Sequence, residues 1–155
     1  IRYPRGKGEM ADWRNEMHVL PIGKGKKLRD GDDIAILSLG PIGNEVIKAI
    51  KEIEGDGISI AHYDMIYLKP MDEELLHEVG KKFSRIITVE NGVIRGGLGS
   101  TVLEFMADNG YTPKIKRIGV PDEFVEHGPI SELYKLCGMD AKCIAEEIKK
   151  MVIGG

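Results

Sequence analysis

The sequence has little cysteine and few aromatic residues, and it lacks long hydrophobic runs. Of its 155 residues, 2 are cysteines and 6% are aromatic. Cys137 and Cys143 are separated by five residues with no histidine pair nearby, which is not zinc-site spacing, so we expect reduced thiols that pack in the fold. No apolar stretch approaches the ~18 residues of a membrane-spanning helix, and the N-terminus lacks the apolar core of a secretory signal. We therefore expect a cytoplasmic protein.

An excess of one charge sign is also missing. The net charge is −3 and 30% of residues are charged, which predicts no general affinity for nucleic acid or for anionic membranes. The first thirty residues are locally basic, with eight Lys and Arg residues against four acidic ones. This segment is interpreted either as an anion contact or as a solvated linker.

Alternating strand and helix patterns begin at residue 34. Residues 1–33 read as loop, with a possible short hairpin between "MHVLPIG" and "KKLRDG". Apolar runs then predict four strands in "DIAILSLG", "ISIAHYDMIYL", "RIITVE" and "KIKRIGV". This alternation predicts an α/β fold, a three-layer α/β/α sandwich whose mostly parallel, mixed sheet has about five strands.

Helical periodicity and capping residues separate the predicted strands. "NEVIKAIKEIEGDG" has apolar residues on one face, and Asp72 is placed to cap a helix through Phe83 with Leu75, Leu76 and Val79 as its buried stripe. Later helices are predicted in three segments, "TVLEFMADNG", Ser131–Cys137 and Asp140–Val152 with Asp140 as its cap.

The turn "LGPIGNEV" is the first candidate site, because it joins a strand to a helix start. Free amides at such a point bind phosphate, and Asp64 lies 21 residues after Gly43, about where a dinucleotide fold places its ribose-binding acid. The turn spans Gly40–Gly43 without the G-x-G-x-x-G fingerprint. Nucleotide binding and a purely steric role for the glycines both remain open.

The loop "VENGVIRGGLGS" is the second candidate. Gly96, Gly97 and Gly99 precede a helix with Arg95 beside them, which suits an anion nest. The same glycines suit close packing of the helix against a neighbour. Glu90 at the strand end is expected to accept hydrogen bonds from the loop amides.

The histidines and serines form no evident catalytic set. His77 is expected to be solvated, His62 to be a satisfied, half-buried strand residue, and His127 in its loop is the best placed for function. His18 has no partner at metal-site spacing. The serines Ser38, Ser100 and Ser131 lack a G-x-S-x-G context, so the sequence supports no nucleophile–base arrangement.

Arg5 lies between Pro4 and Gly6 in the opening "IRYPRG". A guanidinium held by a rigid turn suits bidentate contact with phosphate or carboxylate, and an arginine near a chain end is also commonly a free surface charge. The opening has no initiator Met, and from these residues alone both an N-terminus and a cut edge remain open.

Six motifs in order, taken together, resemble a known family: "IRYPRG", "LPIGKGKKLRDGDDIAILSLG", "YLKPMDEELL", "ITVENGVIRGGLGSTVLEFM", "IGVPDEFVEHG" and "ELYKLCGMDA". They are similar to the C-terminal end of the 1-deoxy-D-xylulose-5-phosphate synthase family, thiamine-diphosphate enzymes of the transketolase type. The resemblance covers essentially the whole chain. It implies a transketolase C-terminal-domain fold for residues 34–155, preceded in 1–33 by the end of a pyrimidine-binding domain and a linker.

The resemblance also implies a reaction, cofactors and partners. In the family, pyruvate and D-glyceraldehyde 3-phosphate are condensed to 1-deoxy-D-xylulose 5-phosphate with release of CO2, which feeds isoprenoid, thiamine and pyridoxal synthesis. Thiamine diphosphate and Mg²⁺ are expected in the full-length enzyme, and none is expected on this chain. The expected partners are the upstream diphosphate- and pyrimidine-binding domains and a second copy in a homodimer.

One site residue carries over from the family, because the second arginine of its R-Y-P-R-G motif helps to bind the phosphate of the acceptor. That residue is Arg5 here, and no catalytic or metal-binding residue is expected in this chain. The turn "GPIGN" departs from the family's Gly-Thr type of turn, which puts a borrowed ligand role for it in doubt. A sister transketolase or keto-acid dehydrogenase β-subunit domain, or a free-standing nucleotide-binding module, remains the alternative.

Overall fold

The computed structural model describes residues 18–154, which form a mixed five-stranded sheet flanked by helices. The strands β1 to β5 span Lys26–Arg29, Ile34–Leu39, Ile60–Asp64, Arg85–Val93 and Lys114–Val120. The helices α1 to α5 span Gly43–Glu52, Glu73–Lys82, Leu98–Asp108, Ile130–Leu136 and Ala141–Ile153. Within these described residues, no helix combines the length and apolar character that crossing a membrane requires.

The strands are ordered β1-β3-β2-β4-β5 across the sheet. Strands β2 to β5 pair in parallel, and β1 runs antiparallel to β3. One apolar cluster packs α1 and α5 on one face, and a second packs α2 and α3 on the other. The predicted three-layer α/β/α architecture with a mostly parallel sheet is confirmed.

Strand β2 is the centre of the sheet and of both apolar clusters. Ile34 and Ile36 point to the α1–α5 face, and Ala35 and Leu37 point to the α2–α3 face, all four fully buried. Successive strand side chains alternate between faces. A strand covered on both sides therefore needs the continuous apolar run that the sequence shows.

The predicted helix caps at Asp72 and Asp140 are confirmed. Asp72 Oδ1 accepts a hydrogen bond from the Leu75 amide at 3.1 Å, and Asp140 Oδ1 accepts one from the Cys143 amide at 3.3 Å. Each carboxyl satisfies a donor that the first turn of a helix leaves without a backbone partner.

The predicted hairpin between "MHVLPIG" and "KKLRDG" is wrong. The described part of the first segment, residues 18–23, contains no strand, and β1 pairs with β3, Lys26 opposite Asp64. The hydrogen bond from the Gly25 amide to Asp72 Oδ2, 2.9 Å long, helps to direct the chain there. Because β3 lies more than thirty residues after β1, no local sequence pattern marks it as the pairing strand, and the pattern favoured the nearer segment instead.

Strand β4 and helix α3 also extend further into the glycine loop than predicted. After a register shift between Val89 and Val93, β4 resumes pairing with β5 through Val93 and Val120. Helix α3 begins at Leu98, three residues before the predicted start at Thr101. Its first turn is stabilised by a side chain of the preceding strand, which is described below.

Candidate functional site

The candidate site is a cleft at the carboxyl edge of the sheet. The chain passes from β2 to β3 on one side of β2 and then returns to β4 on its other side. Ligands of open α/β sheets bind at such a switch point. A cleft of about 1040 Å³ opens there between the ends of β2 and β4 and the short helix α4.

The walls of the cleft are mainly apolar. Leu39, Leu68 and Val120 come from the sheet edge and its connections, and Leu133 and Tyr134 come from α4. The polar groups on the walls are Glu90, Asn91, Arg95, Glu126 and His127. An apolar cavity with few polar groups is the usual form of a binding site for a small molecule or for another protein surface.

Glu90 lies at the inner end of the cleft and binds the start of helix α3. Its Oε2 accepts a hydrogen bond from the Leu98 amide at 2.8 Å, and its Oε1 accepts one from the Gly99 amide at 2.9 Å. The side chain is buried. The expected acceptance of loop amides by Glu90 is therefore confirmed, and Glu90 takes the place that an external anion would occupy at this helix N-terminus.

The glycines of this loop are required by close packing. A Cβ at Gly97 would collide with the Glu90 carboxyl group, and a Cβ at Gly99 would lie 2.7 Å from Thr88 Oγ1 and from Arg117. Gly96 has a φ of +72°, which favours glycine, and its amide donates to Ser100 Oγ at 2.9 Å. Of the two interpretations of this loop, the geometry supports the structural one.

Arg117 stabilises this loop through hydrogen bonds, and the sequence did not single it out. Its Nη1 donates to the Ile94 carbonyl at 3.0 Å and to Ser100 Oγ at 3.2 Å. The alternation in "KIKRIGV" predicts an edge strand but not which lysine or arginine points inward. Arg95, which the sequence did single out, is largely exposed and pairs with Asp122 at 3.6 Å.

The turn at Gly40–Gly43 leads into α1, and the first amides of that helix are bonded to carbonyls of the turn. Gly43 N donates to the Gly40 carbonyl at 3.0 Å, and the amides of Asn44 and Glu45 donate to the carbonyls of Pro41 and Ile42. Asp64 Oδ1 accepts from the Ile66 amide at 3.1 Å. The turn and Asp64 do lie at the same sheet edge, but the geometry supports the steric interpretation of these glycines and not a phosphate cradle.

Ser38 and His62 form a buried pair that the sequence did not predict. Ser38 Oγ lies 2.8 Å from His62 Nε2, within hydrogen-bond distance. Both side chains are 1% exposed, and burial lowers the pKa of His62 to about 4. A Cβ at Gly43 would lie 3.0 Å from Ser38 Oγ, so α1 covers the pair and denies a substrate access.

The other described histidines divide between packing and exposure. His77 was expected to be solvated, and that is wrong, because its Nδ1 lies 3.0 Å from Tyr111 Oη and its ring lies 4.9 Å from the Phe105 ring. Both aromatic residues come from distant parts of the sequence. His127 is exposed on the cleft rim, and His18 is exposed at the start of the described chain.

The two cysteines are unpaired and half-buried. Cys137 lines the cleft and packs against the α1–α5 cluster. A hydrogen bond to Asp140, followed by burial, raises the pKa of the Cys143 thiol to about 11. Because only a thiolate is strongly nucleophilic, Cys143 is suited to packing rather than to catalysis.

The described residues do not fit the thiamine diphosphate and Mg²⁺ that the resemblance implies for the full-length enzyme. Within residues 18–154, no three His, Cys, Asp or Glu side chains are grouped so as to hold a metal ion. The first amides of α1 are bonded to carbonyls of the preceding turn, and the Leu98 and Gly99 amides of α3 are bonded to Glu90. Arg5, the predicted phosphate-binding residue, lies outside the described residues.

Comparison with known families and proteins gives a consistent result. Residues 23–144 match the family described as "Transketolase, C-terminal domain". The chain is similar to the 1-deoxy-D-xylulose-5-phosphate synthase of Parabacteroides distasonis, 79% identical over 97% of this chain and 24% of that protein. It is 58% identical to the enzyme of the same name from Bacteroides fragilis, over 97% of this chain and 23% of that protein. The chain thus spans about a quarter of the length of these curated relatives.

Solved structures show the same architecture. A structure described as "Split gene transketolase, inactive beta4 tetramer" is similar with a TM-score of 0.77 and 31% identity, over 86% of this chain and 43% of that one. Transketolase from Campylobacter jejuni is similar with a TM-score of 0.60 over 86% of this chain and 20% of that one. At 15% identity, the second similarity shows the fold alone.

Proposed function

The chain belongs to the family of transketolase C-terminal domains, and from this we propose that it is the C-terminal domain of a 1-deoxy-D-xylulose-5-phosphate synthase. The observation that supports the proposal most strongly is the 79% identity to a synthase of that name over 97% of the chain. The complete enzyme would condense pyruvate with D-glyceraldehyde 3-phosphate to 1-deoxy-D-xylulose 5-phosphate and CO2. Its product would serve isoprenoid, thiamine and pyridoxal synthesis in the cytoplasm.

In this proposal the domain takes part in assembly and not in chemistry. Thiamine diphosphate and Mg²⁺ would be held by the preceding diphosphate- and pyrimidine-binding domains, and in this domain the first amides of α1 and α3 are already bonded internally. The domain would contribute packing between domains and to a homodimer. Residues 1–33 would connect to the pyrimidine-binding domain, with Lys26–Arg29 of that range forming the edge strand of the sheet.

The test is an assay of the full-length polypeptide that contains this chain. With thiamine diphosphate and Mg²⁺, we expect CO2 release from pyruvate that depends on D-glyceraldehyde 3-phosphate, with 1-deoxy-D-xylulose 5-phosphate as product. The 155-residue chain alone is expected to be inactive. Absence of the product, with the full-length protein folded and cofactor-loaded, would overturn the proposal.

A transketolase or keto-acid dehydrogenase β-subunit is the second candidate, and the similarity to the split-gene transketolase favours it to a smaller degree. The same full-length protein separates the two candidates. A transketolase would transfer a two-carbon unit from a ketose phosphate donor without releasing CO2. A free-standing nucleotide-binding module is disfavoured, because the amides of Gly43, Asn44 and Glu45 at the start of α1 are bonded to carbonyls of the Gly40–Gly43 turn.

The proposal assigns Arg5 to the phosphate of D-glyceraldehyde 3-phosphate. In the full-length enzyme, Arg5→Ala is expected to raise the KM for this substrate by about tenfold or more, because a charge-assisted hydrogen bond contributes about 1.5–3 kcal/mol. The KM for pyruvate should change little. Arg2→Ala is the control, and equal effects of the two variants on both substrates would contradict the assignment.

A further inference from the structure

We propose that Asn109 is a site of spontaneous deamidation, in which its side-chain amide becomes a carboxyl group through a ring formed with the Gly110 nitrogen. The site lies at the end of α3 and not among the residues that line the cleft, and water is the co-reactant. The inference goes beyond the proposed function and does not depend on it, because the reaction requires neither a cofactor nor a substrate.

The sequence limits where this chemistry can occur. The chain contains four asparagines and no glutamine, and two of the four, Asn91 and Asn109, are followed by glycine. Ring closure requires the next backbone nitrogen to reach the side-chain carbonyl carbon, and a following glycine has no Cβ to obstruct that approach. Asp30 and Asp56 also precede glycine, but an ionised carboxylate is a much poorer electrophile than an amide. Asn91 and Asn109 are therefore the two candidates.

The structure distinguishes the two candidates. Asn91 lies within β4, which pairs with β2 and β5, and both it and Gly92 are half-buried. Asn109 directly follows α3, and both it and Gly110 are exposed. Nothing lies within 4 Å of the position that a Cβ on Gly110 would take, so the ring has room to form there. Because helix ends open at a lower free-energy cost than strands inside a sheet, Asn109 is the reactive site.

Two hydrogen bonds hold the end of α3 in its unreacted state. The Gly110 amide donates to the Ala107 carbonyl at 3.2 Å, and Asn109 Nδ2 donates to the Phe105 carbonyl at 2.9 Å. Both bonds must break before the Gly110 nitrogen can attack the side chain, so the reaction proceeds from a frayed helix end. Fraying of an exposed terminal turn is among the least costly openings of a folded protein. The rate of deamidation therefore depends on how often this end of α3 opens.

The chemical steps use only these two residues and water. The Gly110 nitrogen loses its proton to solvent and bonds to Asn109 Cγ, and the side-chain nitrogen leaves as ammonia, which gives a succinimide ring. Water then adds to one of the two ring carbonyls. Breaking the bond between the ring nitrogen and Cγ yields aspartate, and breaking its bond to the backbone carbonyl carbon yields isoaspartate. Nothing is oxidised or reduced, and the net change is the gain of one water and the loss of one ammonia.

The products weaken the end of α3. A carboxylate cannot donate to the Phe105 carbonyl, and its charge lies beside Asp108 at the end of the helix where the backbone carbonyls are already partly negative. The next ordered contacts belong to Tyr111, whose amide donates to the Met106 carbonyl at 2.9 Å and whose Oη lies 3.0 Å from His77 Nδ1. Isoaspartate adds a carbon to the main chain just before these contacts. The last turn of α3 and its packing on α2 therefore loosen as the protein ages.

Peptide mass spectrometry of the full-length polypeptide tests the proposal, because trypsin separates the two candidates. Cleavage after lysine and arginine places Asn91 in peptide 86–95 and Asn109 in peptide 96–114, and each is the only side-chain amide of its peptide. In the native protein at neutral pH, Asn109 should deamidate at least about fivefold faster than Asn91, because the helix end opens at lower cost. In urea the two rates should become equal, since both residues are then Asn-Gly in an unfolded chain.

Asn109→Gln is the matched variant, because glutamine keeps the side-chain amide but would have to close a larger ring. Its peptide 96–114 should gain no mass over the same period. The proposal is overturned if Asn91 reacts as fast as Asn109 in the native protein, or if Asn109 reacts only in urea. Asn109→Asp reproduces one product, and faster hydrogen exchange of residues 106–111 is expected in this variant. Unchanged exchange would overturn the proposed weakening of the helix end.

Discussion

At the residue scale, Glu90 supplies the hydrogen-bond acceptors for the free amides at the start of α3. In other folds a bound anion can occupy such a helix N-terminus. The two carboxyl oxygens of Glu90 each accept one amide at the start of α3, and Gly97 leaves the room that the carboxyl group needs. An acid near a glycine-rich loop predicts such a contact from sequence. The exclusion of an external anion follows only from the geometry.

Replacement of Glu90 by glutamine is expected to destabilise the domain by about 2 kcal/mol, because the amide nitrogen would face a backbone donor in a buried position. Urea unfolding measured at neutral pH checks this value. Glu104→Gln, on the exposed face of the same helix, should change the free energy of unfolding by less than about 0.5 kcal/mol. Equal effects of the two substitutions would show that Glu90 does not stabilise the start of the helix.

The buried His62 is expected to make stability depend on pH. Its pKa is lowered from 6.5 to about 4 by burial, so the unfolded chain binds a proton before the folded protein does. The stabilisation is therefore fully present above pH 6.5 and is lost as pH falls from 6.5 towards 4, by about 3 kcal/mol in total. His62→Gln should flatten the stability profile over this range.

The Ser38→Ala variant shows whether burial or the hydrogen bond from Ser38 causes the lowered pKa of His62. It removes the partner of His62 but leaves the ring covered, so stability should fall at every pH while the dependence between pH 6.5 and 4 remains. Loss of the pH dependence in this variant would mean that the bond from Ser38, and not burial, controls the titration of His62.

At the element scale, Asp72 links three parts of the fold. Its carboxyl accepts the Leu75 amide of α2 and the Gly25 amide before β1, and Lys24 lies 3.6 Å away. Burial acts to raise the pKa of Asp72, but these hydrogen bonds and the lysine outweigh it and hold the pKa below its ordinary range. Asp140 accepts the Cys143 amide and is also hydrogen-bonded to the Cys143 thiol, so both contacts come from the helix that it caps.

The two caps are therefore expected to differ in strength. Asp140→Ala should cost about 1 kcal/mol, the usual value for a helix cap, and Asp72→Ala about 2 kcal/mol because it also releases the segment before β1. Thermal or urea unfolding of both variants measures the difference. A smaller loss for Asp72→Ala than for Asp140→Ala would contradict the linking role.

The strands and helices also show which features of the fold can be predicted from sequence patterns. Strand β2 was predicted because burial on both faces demands a continuous apolar run, and the caps of α2 and α5 were predicted because their contacts are local. Strand β1 has all four residues exposed and a partner more than thirty residues away, so it leaves no periodic signal. The Ser38–His62 pair depends on the register between β2 and β3, and the packing of His77 depends on Tyr111, neither of which is written in local sequence.

At the scale of the whole molecule, the described residues form an apolar cleft at the carboxyl edge of the sheet, with the first amides of α1 and α3 bonded internally, and ion pairs at the opposite edge. These features agree with a part that docks to a larger protein and leaves the chemistry to other domains. The chain spans about a quarter of its curated relatives, which gives that larger protein its expected size.

A calorimetric titration with thiamine diphosphate and Mg²⁺ tests this account most directly. Both the 155-residue chain, shown to be folded by cooperative unfolding, and the full-length protein are titrated under the same conditions. We expect saturable binding to the full-length protein, with a Kd on the order of micromolar, and no binding heat with the chain alone. Saturable micromolar binding to the 155-residue chain would contradict the account, because it would place the cofactor site in this domain.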